Sequence, residues 1–232
     1  MSDAFLCPPL RLRSLALFGG TFDPVHRGHL AAARAARDLF HLGAVHFVVA
    51  GCPPHKRRTP LSPYPHRCAM VALACAGQPR LVASLAEAGP DFSGGATSYS
   101  VDLVRDYRKR LPRAAHLYFL IGADAFLEIG AWREPEALLD ACDFLVVSRP
   151  GFAVDRLRAA LPPGMLAAGR AGARRTQPHA LRLRRSTVHL ISSVQVDVSS
   201  TAIRGLASRG RSIRGLVPPA VEDYICKQFL YR

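Results

Sequence analysis

The sequence predicts an α/β protein built on a doubly wound parallel sheet, and two observations carry that expectation. Apolar runs of strand length recur along the chain, and segments with helical spacing lie between them. The runs are continuous rather than alternating, which marks strands covered on both faces, as in parallel sheets. Repeated strand–helix–strand units with right-handed crossovers then give a doubly wound sheet. Ligands of such sheets sit at the carboxyl ends of the strands, near the switch point in strand order.

The elements follow in order. A first strand over Ser14–Phe18 leads to a helix over Gly28–Phe40, and a second strand, Val45–Ala50, to a helix over Tyr64–Ala76. Leu81–Ala83 is the third strand, with a helix over Ser100–Arg110 after it. His116–Ile121 is a strand, Glu134–Leu139 a helix, and Phe144–Val147 and Val188–Ile191 are further strands. The final segment, VPPAVEDYICKQFLYR, reads as a helix opened by prolines and packed through Val221, Tyr224, Ile225 and Phe229. With 232 residues and 49% apolar content, one domain over 1–232 with C-terminal helices in 200–232 is expected. No internal repeat is found.

The formal net charge of +14 points either to a nucleic-acid surface or to phosphorylated ligands. Much of the excess lies in an Ala-, Arg-, Gly- and Pro-rich segment at about 151–186, read as a solvated, linker-like insertion dispensable for catalysis. A nucleic-acid surface calls for aromatic residues among the basic ones; none follows Phe152 before Arg185, so no nucleic-acid partner is expected. No run reaches the length of a membrane span, and the N-terminus has an acid where a signal peptide wants positive charge. A cytoplasmic protein with no membrane partner is expected. Cys7, Cys52, Cys68, Cys75, Cys142 and Cys226 form no C-x-x-C pair and read as reduced thiols, with Cys68 and Cys75 buried on one helix face.

The stretch LALFGGTFDPVHRGHL places Gly19, Gly20, Thr21, His26 and His29 where the first strand hands over to its helix. Glycines there permit positive φ and close backbone approach to a ligand, and the helix start offers unpaired N–H groups to an anion. An i, i+3 histidine pair as metal ligands needs a third ligand, and none is evident, so no protein metal site is expected. As imidazole donors to phosphate oxygens the pair needs nothing more. Neither a Walker loop nor a G-x-G-x-x-G fingerprint occurs at this strand end.

GGTFDPVHRGH resembles the T/HxGH signature of the nucleotidyltransferase superfamily, akin to the HIGH element of class I aminoacyl-tRNA synthetases. With AGCPPHK, RCAM, TSYS, FLIGADAFLEIGAWREPEALL, CDFLVVSRPG and VDVSSTAIR following in order, the chain resembles the bacterial nicotinate-nucleotide (nicotinic acid mononucleotide) adenylyltransferase family over roughly 14–150 and 187–229. The resemblance implies a Rossmann-like nucleotidyltransferase (HIGH) fold. It also implies transfer of the adenylyl group of ATP to nicotinate mononucleotide, giving nicotinate adenine dinucleotide and pyrophosphate in NAD biosynthesis. Nicotinamide mononucleotide or another phosphorylated acceptor is the alternative.

The resemblance also assigns residues. His26 and His29 face the ATP phosphates beside Gly19, Gly20, Thr21 and Phe22, and His29 is the better candidate for stabilising charge during transfer. Lys56 adds a cation to both catalysis and substrate binding, and Ser199, Ser200 and Thr201 cap a helix whose amides bind phosphate, with Arg204 as a forked donor. Gly122 and Asp124 meet the adenylate, Asp124 through a ribose hydroxyl. Ser98, Tyr99, Ser100, Trp132 and Arg133 surround the nicotinate, whose carboxylate meets backbone N–H groups near Ser100 and Arg133. Mg²⁺ comes with ATP, held mainly by phosphates. Because the attacking phosphate oxygen is already anionic, no general base is needed, and the task is positioning two anions under positive potential.

Overall fold

The computed structural model describes residues 13–51, 61–89, 92, 99–149, 151–167, 179–192 and 197–232. The strands are β1 (Ser14–Gly20), β2 (Ala44–Val49), β3 (Leu81–Ser84), β4 (His116–Gly122), β5 (Asp143–Val147), β6 (Ala180–Arg182) and β7 (Thr187–Ile191). The helices are α1 (Arg27–Leu39), α2 (Tyr64–Cys75), α3 (Ser100–Arg110), α4 (Ala123–Phe126), α5 (Pro135–Ala141), α6 (Val154–Ala159), α7 (Ser200–Ala207) and α8 (Pro219–Lys227).

The sheet order is β3-β2-β1-β4-β5-β7-β6, parallel throughout except for β6 against β7. Strand order turns back at β1, which lies between β2 and β4, so the crevice forms above that pair. Alternate residues of β1 feed two cores: Ala16 and Phe18 pack with α1, α2, α7 and α8, while Leu15 and Leu17 pack with α3, α4, α5 and α6. Leu15, Ala16 and Leu17 are at most 1% exposed, which is why the strand reads as an unbroken apolar run. The expected doubly wound α/β sheet is present, with its six expected strands.

Three expectations need correction. The basic segment is not linker-like in its described parts: α6 and the antiparallel edge strand β6 are built from it, and Leu157, Met165, Leu181 and Leu183 are buried in the second core. Its few apolar residues are spaced too widely among Arg, Ala and Gly to show a period. At the other end, Phe229 does not pack; it is 68% exposed, because α8 stops at Lys227 and the chain turns through left-handed Phe229 and Tyr231. The glycines of the first turn, thirdly, are not at positive φ. Both belong to β1, and the left-handed residue is Phe22, at φ 48°. Gly20 relieves crowding instead, since a Cβ there would sit 3.0 Å from the Phe22 ring and press on it.

Cys68 and Cys75 are buried as expected, and Cys68, Cys75, Cys142 and Cys226 are all free thiols. Cys7 and Cys52 lie outside the described residues. Among the described residues no helix is long and apolar enough to cross a membrane.

Candidate active site

A cleft of about 1100 Å³ opens over the carboxyl ends of β1, β2, β4 and β5. It gathers most of the expected site: Gly19, Gly20, Thr21, Phe22, His26 and His29 on one side; Gly122, Asp124, Tyr99, Ser100, Trp132 and Arg133 opposite; Ser200, Thr201 and Arg204 at a third edge. Ser199 stands behind that edge as the cap of α7. Lys56 and Ser98 lie outside the described residues.

His26 is the N-cap of α1, not a residue within it, and the two histidines cap each other. The His26 N–H donates to His29 Nδ1 at 3.1 Å, and the His29 N–H donates to His26 Nδ1 at 3.4 Å. This is a capping box in which imidazoles replace the usual hydroxyl and carboxylate. The rings stack with centroids 3.6 Å apart. A ring nitrogen that accepts carries no proton, so each ring is a neutral imidazole protonated at Nε2. Burial acts in the same direction on His26, pushing its pKa down to about 4. The histidines are therefore oriented hydrogen-bond donors, not fixed cations.

The capping box narrows the expected bank of unpaired amides at this helix start, leaving Gly28 as the first-turn N–H without a partner among the described residues. The Arg27 N–H donates to the Leu216 carbonyl at 2.9 Å, the His29 N–H to His26, and the Leu30 N–H to the His26 carbonyl.

The turn beneath the histidines is held by buried groups that the sequence reading passed over. Asp23 is 1% exposed; its Oδ1 accepts from the Tyr231 hydroxyl at 2.6 Å and its Oδ2 from the Ser62 N–H at 3.1 Å. Arg67, 2% exposed, donates to four carbonyls: Ser62, Thr21, Ala50 and Gly51. Those bonds tie the first turn to the end of β2. Arg67 stood in view within RCAM, an arginine in the apolar stripe of α2 between Tyr64 and Val71. No signal short of tertiary contact joins Asp23 to Tyr231.

Arg204 is similarly engaged. Its Nη1 donates to the Asp23 carbonyl at 2.7 Å, and Ser200 Oγ donates to the Pro24 carbonyl at 2.9 Å, so the start of α7 is pinned to the same turn. Ser199 caps α7, its Oγ accepting from the Ala202 N–H at 3.2 Å.

The opposite wall is built differently. Trp132 is half-buried, edge-on to Phe119 at 6.3 Å, so it both fills the core margin and lines the cleft. The Arg133 guanidinium lies over the Tyr99 ring at 4.4 Å, and that of Arg156 over Phe152 at 4.9 Å. Asp124 is exposed in the first turn of α4, where Gly122 takes the N-cap position. Arg149 also lines the cleft and pairs with Asp197 at 2.9 Å. Arg149, Phe152 and Arg156 went unassigned because two of them fall in the segment read as a linker. Glu87, another lining residue, accepts from the Gly51 N–H at 2.9 Å.

Among the described residues no three His, Cys, Asp or Glu side chains converge as a metal cage. The chemistry gathered here is donor-rich: two imidazoles and four arginines line the cleft, suited to anionic ligands rather than to nucleophilic or acid–base work by the protein.

Comparison with known proteins agrees with this picture. A family model described as cytidylyltransferase-like matches residues 17–206. A Geobacter metallireducens protein named as a probable nicotinate-nucleotide adenylyltransferase is 39% identical over 93% of this chain and 96% of its own. Its Geobacter sulfurreducens counterpart, named alike, is 41% identical over 93% and 96%. Plasmodium falciparum nicotinic acid mononucleotide adenylyltransferase complexed with NaAD superposes with a TM-score of 0.70 at 19% identity, covering 94% of this chain and 97% of that one. The same protein complexed with APC gives 0.68 over the same shares. At that identity the likeness speaks for the fold.

Proposed function

The chain belongs to the cytidylyltransferase-like family, and from that premise we propose that it is a nicotinate-nucleotide adenylyltransferase acting in NAD biosynthesis. A phosphate oxygen of nicotinate mononucleotide attacks the α-phosphorus of ATP, the bond to the β-phosphate oxygen breaks, and pyrophosphate leaves. The observation that carries this reading is the reciprocally capped His26–His29 pair at the mouth of β1, held through both Nδ1 atoms in the cleft that Arg204 also lines.

In this reading each group does one thing. His26 and His29 donate to phosphate oxygens as charge builds on them, His29 at the transferred group. Neutral donors suit the role, since they need no proton change during transfer. Arg204, with Ser199, Ser200 and Thr201 at the start of α7, holds the departing phosphates, and Lys56 adds a cation from the segment after β2. Gly19, Gly20, Thr21 and Phe22 form the floor under the triphosphate. Gly122 lets the adenylate approach β4, since a Cβ there would point into open space, and Asp124 accepts from a ribose hydroxyl. Trp132, Tyr99, Ser98 and Ser100 enclose the nicotinate ring, and Arg133 adds charge beside its carboxylate. Two unit charges 4 Å apart repel by about 4 kcal/mol at an effective dielectric near 20, so the arginines around the cleft are needed to bring two anions together. The nucleotide enters as its Mg²⁺ complex, the metal carried by phosphate oxygens. A cytoplasmic site of action belongs to the same reading.

The test is pyrophosphate release with MgATP and either nicotinate or nicotinamide mononucleotide. Turnover with the acid and little with the amide is the expected result. A preference for the amide, or turnover with neither, overturns the assignment.

A further inference from the structure

The bonds around Asp23 reach far from the cleft, to the next-to-last residue of the chain. We propose that Tyr231 is a positioning residue for adenylyl transfer, holding the turn that carries His26 through its hydroxyl bond to the Asp23 carboxylate. This rests on the adenylyltransferase reading above and deepens it.

The argument begins with what Asp23 joins. Its two carboxylate oxygens are met from different parts of the chain, Oδ1 by Tyr231 and Oδ2 by the Ser62 N–H, while its own carbonyl receives Arg204. The next carbonyl, of Pro24, receives Ser200, and that of Thr21 receives Arg67. Three of the four carbonyls from Thr21 to Pro24 are thus fixed by side chains from α2 and α7, and the carboxylate by the C-terminal tail. His26 follows two residues after Pro24. Displacing Asp23 therefore moves the histidine pair and Arg204 together.

The tail is shaped for this contact. After α8 the chain passes through Phe229 and Tyr231 at φ 52° and 66°, and the Leu230 N–H returns to the Ile225 carbonyl at 3.1 Å. Left-handed backbone at two non-glycine residues is unfavourable, and here it turns the Tyr231 ring inward to Asp23 and Met70 while Phe229 is left in solvent. Burial raises the phenol's pKa, so it stays a donor throughout the working pH range. A carboxylate buried this deeply without that donor would have to shift or take up water.

A contact that merely adds stability would lower the folded fraction and leave the turnover of folded enzyme alone. A positioning contact lowers kcat. Full-length Tyr231→Phe, assayed well below its melting temperature, should lose about 10-fold or more in kcat, since small misplacements of reacting groups are costly. Its KM for the mononucleotide should stay within about twofold, that subsite lying on the opposite wall. Combining it with Asp23→Ala should cost no more than Asp23→Ala alone, because removing the carboxylate already removes the Tyr231 bond. Amide hydrogen exchange should speed up at Thr21–His26 and Ser62 while the sheet is unchanged. Wild-type kcat in the folded variant, fully additive losses, or unaltered exchange at the turn would overturn the proposal. Should the phenylalanine variant not fold, Asp23→Ala alone carries the same kcat and exchange criteria. An inactive wild type defeats the adenylyltransferase reading, with the exchange result still deciding the Tyr231 link; an active wild type and an equally active Tyr231→Phe defeat this inference alone.

Discussion

The two walls of the cleft are made in opposite ways. The β1–α1 corner is held by buried polar groups: of the five polar or charged side chains buried among the described residues, Asp23, His26 and Arg67 belong to it. Across the cleft Asp124, Arg133, Arg149 and Arg156 are all exposed, and two of them rest over aromatic rings instead of in hydrogen-bonded sockets. The corner has one arrangement, because moving any group would leave a buried partner unsatisfied. The facing wall can adjust, because its cations lose little by shifting in water. The transfer proposed above would use both: fixed donors where the bond changes, and adaptable charge where a ring and its carboxylate are fitted.

The strongest way to break the contrast is at Arg67. Arg67→Met keeps the length of the side chain but leaves four carbonyls without donors and removes a positive charge that acts on Asp23. Losing a buried charge with four hydrogen bonds costs about 3–5 kcal/mol, so urea unfolding should show a large fall in midpoint. A loss below about 1 kcal/mol would mean the corner is not held as described.

Next in size is His29→Ala. If His29 donates to developing phosphate charge as proposed, its loss should lower kcat by a factor of order 10² to 10³, or about 2.7–4 kcal/mol. The lost cap to the His26 N–H should cost about 1 kcal/mol of stability, a separable effect. Near-normal turnover would take His29 out of the mechanism and leave the pair as a helix cap alone.

What the sequence disclosed follows the same division. The sheet, its order of strands and helices, and the glycine–histidine corner were legible because each rests on local pattern: an apolar run, a helical period, a motif. The bonds that fix the corner were not. Asp23, Ser62, Arg67, Arg204 and Tyr231 lie up to 208 positions apart and share no spacing rule. The left-handed turn that sends Tyr231 inward and Phe229 outward could not be inferred from an apolar stripe continuing past α8. The wall residues Phe152 and Arg156 were hidden by composition, in a segment whose charge masks its few buried side chains.

Acid should weaken the buried side of the molecule in a defined window. His26 and His46 are both held at about 4 by burial, below the ordinary 6.5, so the unfolded chain takes up protons first. Their contribution is complete above about pH 6.5 and is lost as pH falls toward 4. Between pH 7.5 and 5.5 the melting temperature should drop by about 5–10 °C. His46→Gln, which replaces the ring bonded to Tyr107, should flatten that slope in part, with His26 and His189, also held below its ordinary pKa by burial, supplying the remainder. A flat profile over this range would mean that neither ring is buried as a neutral base.

The smallest effect should come from the facing wall, at Arg133. Its guanidinium is half exposed, lies over Tyr99 and stands 3.7 Å from Glu134, contacts worth at most about 1 kcal/mol in water. Arg133→Ala should leave stability within about 0.5 kcal/mol and kcat nearly unchanged, while raising KM for nicotinate mononucleotide by about 3–10-fold. The informative number is the ratio of kcat/KM for the acid to that for the amide. If Arg133 supplies charge to the carboxylate, the ratio falls with the substitution, because only the acid loses a partner. If the ratio holds while both substrates weaken together, acid preference resides in backbone N–H groups near Ser100, and Arg133 serves only as a cover over the Tyr99 ring.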